Sequence, residues 1–130
     1  VVLPSVLNSS RFIQSKYSQP IYGTSEMPSQ NLSEGKVWIA YGDDGKVKNP
    51  YKLLPPIASY LGIDADLNEL ELKETESVAN GGAALAAYAK MQFSDAAMSE
   101  ALEKALLTYC ELDTLAMVFI WEYFYHECNK

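Results

Sequence analysis

This sequence predicts a mainly helical α+β chain, and three observations carry the prediction. From Ala96 to Lys130 no glycine or proline interrupts a run rich in Ala, Leu and Glu. Ala83 to Met91 is built almost wholly of strong helix formers. Only Lys36 to Lys48 has the apolar run, turn residues and return of a β-hairpin. The length of 130 residues, 48% of them hydrophobic, corresponds to one domain or a piece of one, with enough apolar surface for a core.

Pro4 and Ser5 open a helix expected to reach about Lys16, with Val6, Leu7, Phe12 and Ile13 as its apolar stripe. Residues 18–35 are rich in Ser, Pro, Gly, Asn and Gln and show no periodicity, which predicts a long loop. Residues 36–48 follow as the hairpin: Lys36–Tyr41 as one strand, Gly42-Asp43-Asp44-Gly45 as the turn and Lys46–Lys48 as the return. Asp43 and Asp44 are read as turn residues, because no further spaced oxygen ligands follow to complete a calcium loop.

Asn49 to Pro56 is irregular and bounded by prolines, and its apolar residues pin it to the core. A short helix is expected from Ile57 to Leu61, ended by Gly62. Residues 64–77 fit a helix and a strand equally. Residues 83–128 are expected to be helical throughout, with Asn80-Gly81-Gly82 as a tight turn before the first helix and Ser94-Asp95 as the cap of the next. A kink is expected after Tyr109. Beyond Leu115 the helix is apolar nearly all round, which predicts a central place in the core.

The 10 Lys and Arg residues against 17 Asp and Glu leave a formal net charge of −7. That argues against a basic nucleic-acid cradle formed by this chain alone. The two cysteines, Cys110 and Cys128, form neither a CxxC pair nor a disulfide framework, and in apolar sequence a thiol acts as a small hydrophobe. A reducing, cytoplasmic setting fits them best. No signal peptide is expected, because no basic stretch followed by an apolar one opens the sequence, and the longest apolar run, Leu115–Trp121, is too short to span a bilayer.

The candidate chemistry lies at Tyr109 and Asp113. Tyr-x-x-x-Asp on a helix puts a phenol and a carboxylate one turn apart on one face. The neighbours of Asp113 on that face, Tyr109, Cys110, Ala116 and Met117, include no cation. An unpaired carboxylate among apolar groups neutralises, finds donors or holds a cation. As a metal ligand, Asp113 suits metal-assisted phosphodiester cleavage, with Tyr109 orienting the attacking water. As a structural residue, Asp113 caps a helix beginning at Thr114. Both readings stay open, and Tyr60…Asp64 repeats the bare spacing in loop-like sequence. His126 is read as a helix C-terminal residue that favours the dipole. Trp121, Tyr123, Phe124 and Tyr125 are read as core, or as the cover of an interface.

Leu107-Thr108-Tyr109-Cys110-Glu111-Leu112-Asp113-Thr114-Leu115-Ala116 resembles the third motif of the DnaQ-like, or DEDD, 3′–5′ exonucleases in their tyrosine form. More of the chain resembles a bacterial domain-of-unknown-function family with such a nuclease-like region. The similar stretches are Val2–Asn8, Asn49–Pro56, Asn80–Ala84, Ala87–Lys90 and the motif itself. The resemblance implies an RNase H-like fold, of which this chain would be the C-terminal helical portion. It also implies bound Mg or Mn ions, with Asp113 as a metal ligand and Tyr109 as the water orienter. The superfamily's first motif, Asp-x-Glu, is absent from the sequence, and the Asp of the second would precede Val1. The chain is therefore expected to be inactive by itself, with Mg or Mn bound only jointly with acids of an N-terminal part of a parent protein. Nucleic acid is expected to bind only the intact protein. Starting at Val1 without Met, the chain reads as an excised fragment, and apolar surface exposed in it would favour a homo-oligomer. The alternative is a non-catalytic structural or protein-interaction domain.

Overall fold

Ser10 divides what the sequence presents as one N-terminal helix. In the computed structural model, which describes residues 2–60 and 78–130, α1 (Val2–Ser9) and α2 (Arg11–Tyr17) flank this residue. Ser10 has extended backbone angles, φ −93° and ψ 104°, and its hydroxyl accepts from the Ile13 N–H at 3.2 Å. Its oxygen thus replaces a backbone partner for one of the orphan donors of α2. The expected stripe is kept by Val6, Leu7 and Ile13, all buried, while Phe12 turns outward.

The chain forms two compact units, Val1–Leu53 with Glu111–Lys130, and Leu54–Cys110. The fold is mainly helical. The last helix, α4 (Ala96–Cys128), contributes residues to both units. It is a single helical element through Tyr109 rather than two; no glycine or proline interrupts it and Asp95 caps its start. Asp95 accepts from the Met98 N–H at 2.8 Å, as the cap position predicts.

The first unit is built from α1, α2, the irregular segment 18–49, a 3-10 turn (Pro50–Leu53) inside the stretch expected to be irregular, and the second half of α4. Its core holds Leu7, Ile13, Tyr17, Trp38, Leu112 and Phe119. Tyr17 meets Phe119 edge to face at 4.5 Å, and Tyr22 meets Trp38 likewise at 5.5 Å. The expected hairpin at 36–48 is reduced to a single antiparallel bridge between Tyr41 and Val47. The reason lies in burial. Trp38 and Ile39 are adjacent and both buried, which the two-residue alternation of a one-sided strand does not allow. Their N–H groups donate instead to the Tyr17 carbonyl at the end of α2. The turn itself forms as expected: Gly45 has φ +72°, and Asp44 accepts from the Lys46 N–H.

The second unit packs a 3-10 turn (Ile57–Tyr60), α3 (Gly81–Met91) and the first half of α4. Ile57, Val78, Ala87, Met98, Ala101, Leu102 and Ala105 form its buried cluster. Asn80 caps α3 by accepting from the Ala83 N–H at 2.9 Å, so the helix starts at Gly81 and takes in the glycine pair expected to form a tight turn before it. Residues 92–95 separate α3 from α4 within the 83–128 stretch. The ambiguous segment 64–77, Leu61, Gly62 and the second Tyr-x-x-x-Asp carboxylate, Asp64, lie outside the described residues.

Candidate functional site

Helix α4 carries the acids that matter, and its phase decides what each can do. In the second half its buried face is Leu112, Leu115, Ala116 and Phe119. Asp113 does not share that face. It is exposed, and it accepts a hydrogen bond from the Tyr51 hydroxyl. This corrects the expectation of a carboxylate stranded among apolar groups, because the donor comes from the distant Asn49–Pro56 segment. The capping reading of Asp113 also falls, since α4 runs unbroken through it. Tyr109 lies one turn earlier on α4, where it is half-buried and packs against the apolar cluster of the second unit. A Cβ added to Gly81 would stand 4.0 Å from the Tyr109 hydroxyl.

The acid with the most hydrogen-bond donors is Glu111, which is partly buried. Two residues from Asp113 is roughly 200° around the helix, so the two carboxylates point to nearly opposite sides. Glu111 accepts from the Tyr22 hydroxyl at 2.6 Å, from the Ser29 hydroxyl, and from both the backbone N–H and the side-chain amide of Asn31 at 3.2 and 2.6 Å. Burial alone would raise its pKa. The donors from Ser29, Tyr22 and Asn31 outweigh that and hold it below the usual carboxylate value. The same contacts pin the long loop to α4. The only trace of this in the sequence is the loop's own content of Tyr, Ser and Asn donors.

Glu122 is a second hub on the same helix. Lys16 donates to its Oε1 at 2.5 Å and Tyr17 to its Oε2 at 3.0 Å. The Tyr17 and Tyr22 phenols are both pushed well above their ordinary pKa, first by burial and then by their carboxylate partners. Lys36 donates to the Leu53 carbonyl at 2.7 Å over the Trp38 ring, and burial lowers its pKa.

Of the two readings of the C-terminal aromatics, the core one fails for Trp121, Phe124 and Tyr125, which are exposed. The end of α4 is not central to the core: Met117, Trp121, Phe124 and Tyr125 are between 55% and 67% exposed. His126 lies in the last helical turn as expected, and its ring stacks on Phe12 at 4.6 Å. Cys110 and Cys128 are exposed rather than packed as small hydrophobes.

Among the described residues no group of three or more His, Cys, Asp or Glu side chains is placed to hold a metal ion. Nor is any helix among them long and apolar enough to cross a membrane. No family model, curated protein or solved structure matches the chain.

Proposed function

We propose that this chain is the C-terminal portion of a metal-dependent 3′–5′ exonuclease-like protein of the bacterial cytoplasm, RNase H-like when intact and inactive as the isolated chain. One observation carries the reading. Asp113 is a solvent-facing carboxylate on α4, and the Tyr51 hydroxyl holds it in orientation. Two stretches of the family resemblance, Asn49–Pro56 and the Tyr109–Asp113 motif, meet in that bond. An exposed, positioned acid suits a ligand better than a buried or capping one does.

In this reading Asp113 supplies one oxygen ligand to Mg or Mn, and Tyr109 orients the attacking water. The remaining acids come from the N-terminal part of the intact protein, which also provides the nucleic-acid surface. A single carboxylate binds Mg weakly, because the ion gives up its waters reluctantly.

The test compares the intact protein with its Asp113→Asn variant on a 3′-labelled oligonucleotide. Metal-dependent release of 3′ nucleotides by the parent, lost in the variant at unchanged thermal stability, is the expected result. Full activity in Asp113→Asn overturns the assignment. A second reading, a non-catalytic structural or interaction domain, is favoured by Glu111, whose hydrogen bonds serve the loop alone. It predicts no metal-dependent cleavage by the intact protein under any condition.

A further inference from the structure

Met117, Trp121, Phe124 and Tyr125 follow the spacing i, i+4, i+7, i+8, which places them in one stripe along α4. The stripe lies on the side opposite Leu112, Leu115, Ala116 and Phe119, which the first unit buries. Each of the four is more than half exposed. A large side chain of this kind offers 150–250 Å² when buried, so the four together present roughly 500 Å² of apolar surface. Phe12, 39% exposed, and Val2, 57% exposed, extend its margins. That reaches the upper end of what monomers display and approaches the ~800 Å² that each partner of a standard interface contributes.

The stripe is a ridge with a hollow on either flank. One hollow, of about 360 Å³, is lined by Phe12, Trp121, Glu122, Tyr125, His126 and Asn129. The other, of about 350 Å³, lies between α1 and Tyr123 and Phe124. A ridge beside a hollow of matching apolar character is complementary to itself under a two-fold rotation.

We propose that this face binds a second copy of the chain, the two α4 helices packing antiparallel about a two-fold axis at Trp121. Each Trp121 enters the hollow beside Phe12 and His126 of the other copy. The direction follows from the helix dipoles, which an antiparallel pair sets in opposition. A parallel pair would stack Asp113 on Asp113.

Sedimentation velocity of the 130-residue chain from about 1 to about 300 μM brackets a micromolar dimer. A dimer is expected, with Trp121 fluorescence shifting to the blue as it forms; Trp38 is fully buried in either state. Trp121→Glu and, independently, Tyr125→Glu should leave a monomer with unchanged helical circular dichroism, since both residues are largely exposed. Leu85→Glu, on an exposed position of α3, should leave the dimer intact. With Cys110→Ser and Cys128→Ser in place, Trp121→Cys should cross-link to itself on oxidation, as a residue at a two-fold axis must. A chain that stays monomeric throughout the range overturns the proposal. So does a dimer that survives both glutamate variants, an assembly of another stoichiometry, or a dimer in which Trp121→Cys fails to cross-link.

Discussion

The Tyr51 hydroxyl donates to a carboxylate oxygen of Asp113 across 62 positions of sequence. The bond fixes an acid on α4 from a proline-bounded segment that has no periodicity of its own. Its exposure limits its worth to stability, since water competes for both groups. Tyr51→Phe should therefore change the unfolding free energy by less than about 1 kcal/mol in urea titrations. Under the proposed function, the same substitution in the intact protein should weaken Mg affinity, shifting the half-activating concentration upward. Unchanged Mg dependence would separate Tyr51 from any catalytic function.

Glu111 is a different case. Removing it leaves the buried Tyr22 hydroxyl, Ser29 and Asn31 without their acceptor. Glu111→Ala should cost about 1–3 kcal/mol. Hydrogen exchange should quicken at the amide of Asn31, which donates to Glu111, and at Gly23, which donates to Met27 within the same loop. Exchange confined to α4 would contradict the anchoring function.

The lowered pKa of Glu111 makes stability depend on acid. Its folded value lies below its unfolded value of about 4.3, so the contribution is complete above that pH and is lost as pH falls through the folded value. Glu111→Gln should flatten the acid limb of the stability curve while lowering the plateau. Parallel acid limbs for the two proteins would refute this.

Tyr17 and Tyr22 act at the other extreme. Burial first, and Glu122 and Glu111 after it, raise both phenols above the unfolded value of about 10. Their contribution is complete below that pH and is lost as pH rises towards the folded values. Stability should decline above about pH 10, less steeply in Tyr17→Phe or Tyr22→Phe. Absorbance titration should find Tyr17 and Tyr22 ionising only on unfolding.

Gly23 and Gly45 both have positive φ, +84° and +72°. A Cβ at Gly23 would meet the Ser33 carbonyl oxygen at 2.7 Å, whereas at Gly45 nothing lies within 4 Å. Gly45→Ala should cost about 1–2 kcal/mol from backbone strain alone. Gly23→Ala should cost more, because the loop backbone must also move. Equal losses in melting experiments would show that the loop yields freely.

Local chemistry made the helices legible. Helix formers without a breaker produce α4, and Asp95 and Asn80 cap where short polar side chains precede such runs. Gly42-Asp43-Asp44-Gly45 turns because its residues tolerate little else. Each of these outcomes depends on neighbours within a few positions.

The tertiary structure decided the phase of α4. A helix apolar on nearly every side from Leu115 to Trp121 contains no signal for which face will be covered. Packing of α2 and the loop chose Leu112, Leu115, Ala116 and Phe119, which left Trp121 and Tyr125 outside and aimed Glu111 at the loop and Asp113 at Tyr51. Two acids a pair of positions apart thus acquired opposite environments. Composition determined that α4 would exist; long-range contacts alone determined which of its carboxylates is held by the loop and which faces solvent.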